Sequence, residues 1–369
     1  MKHFDVLVRG SGIVGQSLAL SLARLGLQVA LRPDPVRSDG SPDVRAYALN
    51  ATSVSLLQAL KVWDALPAYA ATAVHDMHIE GDAPGASLDF SAWEQHVREL
   101  AWIVDAAVLE RELASAVKFA PHVTVTTQDV HATLTALCEG KASATRDALG
   151  VSFERNEYGH RAIAARLSTS RAHRNIARQW FRSPDVLALL PFDTPQPQSS
   201  YALVWSMPNE RADVLMAADD GVFEQALMQA TAGAAGELKL VSSRADWPLM
   251  RAQASAWCGP GWVLLGDAAH VVHPLAGQGL NLGLADVTVL SQVIAEREAW
   301  REVGDEKLLR RYVRQRLTPT LAMGQLTEGL LRLFAQDLPL VRELRNRGLT
   351  LVNHLSPVKR WLTARALDS

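Results

Sequence analysis

DVLVRGSGIVGQSLALSLARLGLQVALRPD, residues 5–34, is the stretch that decides the fold. The apolar residues 4–8 predict a buried parallel strand, and leucines at helical spacing predict a helix over about residues 13–25. Gly26 is a natural stop for that helix, and residues 29–31 predict a second strand. This order is typical of the first βαβ unit of a dinucleotide-binding fold.

The turn between this strand and this helix has the pattern G-x-G-x-x-G. Gly10 permits the tight turn, Gly12 lets the backbone approach a pyrophosphate, and Gly15 lets the helix pack closely on the strand. Free N–H groups at the start of the helix favour an anion there. A purely structural glycine-rich turn is the alternative. The candidate cofactor-binding residues of the turn are Gly10, Ser11, Gly12, Ile13, Val14 and Gly15.

Two arginines depart from the usual form of this unit. The second strand ends in Arg32 and Pro33, where an acidic residue that binds a ribose hydroxyl is expected. Either Asp34 reaches back across Pro33 or that contact is missing, and Arg32 is then a candidate to pair with a phosphate or stack on adenine. Arg9 is costly to bury at a strand end unless it is paired. A local pair with a carboxylate, without ligand contact, is the alternative for Arg9.

A longer motif lies downstream, GWVLLGDAAHVVHPLAGQGLNLGLADV, at residues 261–287. Residues 262–265 predict a strand that ends at a Gly-Asp pair, and a loop rich in proline and glycine leads into a helix that begins near Leu280. A strand-end aspartate can accept a hydrogen bond from a polyol, and N–H groups at a helix start can face a pyrophosphate or an electron-rich ring. The candidate cofactor-binding residues are Gly266, Asp267, Pro274, Ala276, Gly277, Gln278, Gly279, Leu280 and Asn281.

This motif resembles the signature of FAD-dependent aromatic hydroxylases, the group that includes p-hydroxybenzoate hydroxylase. In that family the Gly-Asp pair holds the ribityl chain and pyrophosphate of FAD, and the following loop passes beside the isoalloxazine ring. PDVRAYALNATSVSLLQALKVWDAL, residues 42–66, resembles a segment of the ubiquinone-biosynthesis hydroxylases in which an arginine at the Arg45 position contacts FAD. YGHRAIAARLST, LALLPF, ALVWSMP and the C-terminal segment resemble the same subfamily, so the resemblance covers nearly the whole chain.

The resemblance implies an α/β fold with a Rossmann-like FAD-binding domain of the glutathione-reductase type. It also implies an inserted mixed-sheet substrate domain and a helical C-terminus. The FAD-binding domain is then discontinuous, with residues 1–75, 103–155 and 258–300. Residues 76–102 and 156–257 form the substrate domain, and residues 301–369 form the C-terminal helical region. The alternating patterns of AVHDMHIEG and YALVWSM predict half-buried strands in the inserted part.

The function implied by the resemblance is an FAD-dependent monooxygenase that hydroxylates the ring of a polyprenylated phenol in ubiquinone biosynthesis. In that family, reduced FAD takes O₂ to form a C4a-hydroperoxide, and NAD(P)H is the reductant. No catalytic residue and no metal-ligand spacing are identified in the sequence. Two alternatives stay open: a non-catalytic, FAD-poor scaffold subunit of a lipid-biosynthesis complex, and a hydroxylase of a soluble aromatic compound.

Three departures from the family pattern bear on FAD binding. The ribose carboxylate is missing, Ala106 and Ala107 stand where the family usually has an arginine, and Glu139 precedes a glycine where the family has Asp-Gly. A typical hydrogen bond contributes about 0.5–1.5 kcal/mol. Several such losses would weaken FAD binding unless Arg9, Arg32 and Glu139 compensate.

Composition limits the partners of the chain. Its 369 residues are 48% hydrophobic, with a net charge of −2 and a pI of about 6.6, so no nucleic-acid partner is expected. Two cysteines make no disulfide framework, and the N-terminus passes directly into a strand, which favours a cytoplasmic location. Residues 301–369 hold 13 basic and 7 acidic residues, whereas the preceding part of the chain holds 24 basic and 32 acidic residues. That amphipathic region could contact the inner face of a membrane or a multiprotein complex, or pack on its own FAD domain.

Overall fold

The computed structural model describes residues 3–34, 43–82, 85–272 and 278–335. The predicted site residues Pro274, Ala276 and Gly277 lie outside these ranges, as does the part of the predicted C-terminal helical region from residue 336 onward. Both cysteines, Cys138 and Cys258, are free thiols. Among the described residues, no helix combines the length and the apolar character that a bilayer crossing requires.

The described strands and helices alternate along the chain. The strands are β1 (His3–Arg9), β2 (Val29–Arg32), β3 (Ala46–Leu49), β4 (Ala71–Val74), β5 (Asp76–Glu80), β6 (Ser87–Ser91), β7 (Ala101–Asp105), β8 (Val123–Val125), β9 (His131–Leu137), β10 (Phe153–Thr169), β11 (Ile176–Arg182), β12 (Asp185–Phe192), β13 (Ser200–Pro208), β14 (Leu238–Leu240), β15 (Ala245–Ala254), β16 (Cys258–Gly259), β17 (Trp262–Leu264) and β18 (His270–Val271). The helices are α1 (Ile13–Arg24), α2 (Ala51–Ala59), α3 (Ala92–Gln95), α4 (Ala106–Phe119), α5 (Ala144–Ala148), α6 (Asn209–Ala217), α7 (Asp220–Thr231), α8 (Gln278–Ala295) and α9 (Glu306–Ala335).

The first sheet carries the glycine-rich turn. Its strand order is β16-β17-β9-β1-β2-β8, and every pair except β16-β17 is parallel. Val6 and Val8 of β1 and Leu18 and Leu22 of α1 are fully buried in one core, which explains why these apolar residues form this unit. The predicted strands and helix of the first βαβ unit are confirmed within two residues.

The second sheet is the mixed sheet that the sequence predicted. Its order is β18-β15-β10-β13-β12-β11-β5-β6, with β14 on β10, and only the β11-β5 pair is parallel. Ile163 and Leu167 of β10 pack against Phe223 and Leu227 of α7 on one face. Helix α7 begins at Asp220 as predicted, whereas α6 was not predicted.

A third sheet has the strand order β3-β7-β4, and both of its strand pairs are antiparallel. Val74 of β4 and Ile103 of β7 share a core with Phe192 of β12. This core joins the segment that carries Arg45 to the second sheet. The predicted domain boundaries stay a prediction, and β18, from the segment assigned to the FAD domain, pairs with β15 of the second sheet.

Candidate functional site

The three glycines of the first motif have different surroundings. A Cβ on Gly10, whose φ is +104°, would lie 2.2 Å from the carbonyl oxygen of Cys138, and one on Gly15 would lie 2.0 Å from the oxygen of Gly10. A Cβ on Gly12 would meet nothing within 4 Å. Gly10 and Gly15 are therefore required by backbone packing. Gly12 leaves open space in front of the N-terminus of α1, where an anionic phosphate group fits.

The second motif lies against the first. A Cβ on Gly266 would lie 3.4 Å from Val14, and one on Gly283 of α8 would lie 2.7 Å from Val14. The short 3-10 helix Gly266–Ala268 and α8 therefore pack on the first turn of α1. The two glycine motifs, distant in sequence, therefore lie side by side in the fold.

Asp267 is a hydrogen-bond acceptor of this site that lacks a donor among the described residues. Its carboxylate is half-buried and accepts no hydrogen bond from any other described residue. Burial raises the pKa of Asp267, and the nearby charges of Lys141, His270 and Arg45 offset this only in part. A desolvated carboxylate needs donors, and the hydroxyls of a ribityl chain are donors of the right kind. The residues present therefore fit FAD.

Asp286 of α8 fixes the Gly-Asp turn from behind. Its Oδ2 accepts hydrogen bonds from the Gly266 N–H at 2.9 Å and from His270 Nε2 at 2.7 Å, and its Oδ1 accepts one from Arg316 Nε at 2.7 Å. Burial raises the pKa of Asp286, but His270 and Arg316 outweigh it and hold the pKa below its ordinary value. Sequence reasoning missed this network, although a lone aspartate in the apolar stretch NLGLADV was a signal.

The start of α8 presents backbone to the site. The helix begins at Gln278, two residues earlier than predicted, and a Cβ on Gly279 would meet nothing within 4 Å. The Asn281 side chain accepts hydrogen bonds from the Asn50 N–H and the Ser53 hydroxyl and donates one to the Ala48 oxygen at 2.8 Å. The Asn281 amide therefore positions the start of α8 against the segment before α2, and its role in cofactor binding stays a prediction.

Arg9 is paired with a carboxylate, which is the alternative that the sequence analysis gave for this arginine. Its Nε donates to Glu139 at 2.7 Å, and Glu139 also accepts hydrogen bonds from Ser143 at 2.6 Å and Thr145 at 2.7 Å. Burial raises the pKa of Glu139, but these three donors hold it below its ordinary value. Glu139, the residue that departs from the family pattern, is thus matched by Arg9.

The other two arginines of the predicted site differ in their surroundings. Arg32 donates to the exposed carboxylate of Asp129 at 2.5 Å. Arg45 forms a two-pronged pair with Asp43, with contacts of 2.6–3.1 Å, and this hydrogen bonding raises the pKa of Arg45. Of these two arginines, Arg45 is the one whose charge acts on the pKa of Asp267. Arg32 lies beside the glycine turn instead, because its backbone oxygen accepts a hydrogen bond from the Gly10 N–H at 2.9 Å. In the part of the chain described, no cluster of side chains could hold a metal ion.

A family model described as an FAD binding domain matches residues 107–326, which is more than half of the chain. The chain belongs to this FAD-binding family. FAD, the cofactor predicted from the sequence, is thereby confirmed for this flavoprotein.

Two relatives that match nearly the whole chain of this flavoprotein are named as hydroxylases. It is 28% identical to the 3-demethoxyubiquinol 3-hydroxylase of Escherichia coli, over 98% of each chain. It is 27% identical to the ubiquinone hydroxylase UbiL of Rhodospirillum rubrum, over 100% of this chain and 90% of that one. The solved structure of PqsL from Pseudomonas aeruginosa with 2-aminobenzoylacetate has the same fold, with a TM-score of 0.79 at 20% identity, over 95% of this chain and 100% of that one. The predicted family resemblance and fold class are confirmed.

Proposed function

We propose that this flavoprotein is an FAD-dependent monooxygenase that hydroxylates the aromatic ring of a polyprenylated phenol in ubiquinone biosynthesis. The observation that carries the proposal is the Asp267 carboxylate, which accepts no hydrogen bond within the described ranges and lies in the turn that packs on the start of α1. The chain is similar over 98–100% of its length to a 3-demethoxyubiquinol 3-hydroxylase and a ubiquinone hydroxylase. NAD(P)H and O₂ are the co-substrates.

The residues of the site divide the work of holding the cofactor. The N–H groups after Gly12 would hold the pyrophosphate, Asp267 would accept hydrogen bonds from the ribityl chain, and the first turn of α8 would hold the flavin ring. Arg45 supplies positive charge beside this turn. When bound, FAD supplies the redox chemistry that activates O₂ and transfers one oxygen atom to the ring. The protein's own task is to orient that ring and to exclude water from it.

The scaffold alternative is not favoured by the site. Gly12 retains its open space, and the departure at Glu139 is matched by the charge of Arg9.

The partners and the location of the protein are also matters of proposal. We propose a cytoplasmic protein whose basic C-terminal region contacts a membrane surface or a protein complex, supported by the charge excess of residues 301–369.

A complementation experiment tests the function. In a host that lacks its own ring hydroxylase, the wild-type chain should restore quinone production and remove the unhydroxylated precursor. Asp267→Ala should leave the protein level unchanged and let the precursor accumulate. Full restoration by Asp267→Ala would reject a flavin-dependent role, and purified wild-type protein that binds no FAD would reject the proposal altogether.

A further inference from the structure

Arg166 is a buried arginine in the middle of the second sheet, on β10, with only 7% of its surface exposed. Its Nη2 donates to the backbone oxygen of Arg45 at 2.7 Å and lies 3.3 Å from a carboxylate oxygen of Asp105. Its guanidinium carbon lies 3.9 Å from the centre of the Phe192 ring. These contacts place Arg166 where the second sheet meets the segment that carries Arg45, beside the candidate flavin site.

One donor of Arg166 has no acceptor in the part of the chain that the structure describes. Its Nη1 is buried and has no hydrogen-bond partner among those residues. A buried N–H of a charged group without an acceptor is costly, and native proteins rarely keep one without a reason. The sequence analysis did not select this arginine, and neither the fold nor the flavin site described above uses its Nη1.

Arg166 is a charged group in a poorly solvated place. Burial lowers the pKa of Arg166 to about 10, and the carboxylates of Asp105 on β7 and Asp43 before β3 raise it by less. Asp105 is contacted by Nη2, and Asp43 is itself paired with Arg45. Arg166 is therefore protonated at neutral pH, and its remaining donor, Nη1, favours an oxyanion.

The sheet face that carries Arg166 is partly accessible. Ile163, Ala165 and Leu167 of β10 face the core under α6 and α7, so the intervening residues, Arg166 among them, face the opposite side. Across the strand register, Arg166 pairs with Ala202. This alanine-lined face also carries Ala162, Ala164 and Ala188, together with the larger Leu190 and Val204. Ala188, Leu190 and Val204 are partly exposed, so a flat ring can approach the face beside Arg166.

We propose that Arg166 binds the ring oxygen of the aromatic substrate as its phenolate, with the ring lying over the alanine-lined face. This inference rests on the function proposed above and names a residue that selects the substrate. The Nη1 N–H donates to the anionic oxygen while Nη2 keeps its hold on the Arg45 backbone. A phenolate is more electron-rich than a phenol, so the same contact favours the ionised, reactive form of the ring.

Binding of 4-nitrophenol to the FAD-loaded protein tests this, because the anion of this phenol is coloured and its ionisation can be followed by difference spectra across pH. In the wild type, the bound phenol should ionise at a lower pH than the free phenol. Arg166→Met should lose about 10- to 100-fold in affinity for the anion, and Arg166→Lys should retain part of the preference for the anion. Arg161→Met, which removes an arginine from the opposite face of the same strand, is the matched control and should behave as wild type.

Three outcomes decide the matter. If Arg166→Met weakens binding of 4-nitrophenol and of nitrobenzene, which has no ionisable oxygen, to the same extent, Arg166 only packs the ring and the proposal is overturned. If phenol binding is unchanged while the flavin spectrum shifts, Nη1 serves the flavin, and the proposal is again overturned. Should Arg166→Met fail to fold, loss of the preference for the anion in Arg166→Lys would overturn it. Failure of the wild type to bind FAD would instead reject the proposed function, so the two failures are distinguishable.

Discussion

Gly12 and Gly15 have opposite surroundings, so their alanine variants should fail in different ways. Gly12→Ala adds a methyl group to open space with an ordinary φ of −70°, so folding should be unchanged. FAD affinity should fall by about tenfold or more, because the methyl group occupies the approach of the pyrophosphate. Gly15→Ala places a methyl group 2.0 Å from a backbone oxygen and should cost about 3 kcal/mol of folding free energy.

Thermal unfolding of the FAD-free proteins and titration with FAD separate these two effects. Normal FAD binding by Gly12→Ala would show that the pyrophosphate does not lie over this turn. Normal stability of Gly15→Ala would show that the strand and helix are not as close as described.

The Arg9–Glu139 pair should make stability depend on pH. The folded pKa of Glu139 is below its ordinary value of 4.5, so its contribution is fully present above about pH 4.5 and is lost as the pH falls through the folded pKa. At pH 7, Glu139→Gln should lower the free energy of unfolding by about 1–3 kcal/mol. The difference from wild type should shrink in acid, as measured by urea unfolding at several pH values.

Glu306→Gln is the matched control for this prediction, because Glu306 pairs with Arg310 on the exposed surface of α9. Its effect should stay within about 0.5 kcal/mol at pH 7. A Glu139→Gln difference that persists unchanged below pH 4 would contradict the assignment of a lowered pKa to this carboxyl.

At the residue scale, local chemistry could be predicted from the sequence and partners could not. The acceptor role of Asp267 stays a prediction made from its place at a strand end, whereas the carboxylate pair of Arg9, one of two alternatives, is present. Its partner Glu139 lies on β9, and only the parallel pairing of β1 with β9 brings the two together. The unpartnered nitrogen of Arg166 depends on three separate elements and has no signature in a single stretch of sequence.

At the scale of elements, α8 and α9 act as a support for the Gly-Asp turn. Asp286 is fully buried. Asp286→Asn should remove its ion pairs with His270 and Arg316 and weaken the hydrogen bond that it accepts from the Gly266 N–H. Breaking a buried pair typically costs about 3–5 kcal/mol. We expect both a lower free energy of unfolding and a lower FAD affinity, measured by urea unfolding and FAD titration.

Asp213→Asn, which breaks the surface pair with Arg161, is the control and should leave both quantities unchanged. An Asp286→Asn variant that is destabilised but binds FAD as tightly as wild type would mean that Asp286 supports the fold without positioning the turn.

Elements with strong periodicity were predicted and short ones were not. The 12-residue helix α1 and the strands of the first βαβ unit have clear apolar patterns in their sequences. Helix α6 has nine residues, of which only Ala212 and Leu215 are buried, and β18 has two residues, so neither shows a clear apolar period in the sequence. Their places are set by packing on β10 and by pairing with β15.

At the scale of the whole molecule, the first and second sheets supply the two sides of the candidate site. The parallel first sheet presents the glycine turn and the Gly-Asp turn, and the second sheet presents Arg166 and its alanine-lined face. The resemblance to aromatic hydroxylases carried the prediction of this architecture, because strand order within a mixed sheet is set by contacts distant in sequence. The family match confirms FAD, whereas the residues that hold it stay predictions.

Titration of FAD-free protein with FAD, for the wild type and Asp267→Ala, tests most directly whether the cofactor spans the turns at Gly12 and Asp267. We expect the wild type to bind one FAD per chain, and Asp267→Ala to fold normally and bind FAD at least about tenfold more weakly, because a carboxylate hydrogen bond is lost. Equal FAD affinity in the two proteins, or no saturable binding by folded wild type, would contradict this placement of the flavin.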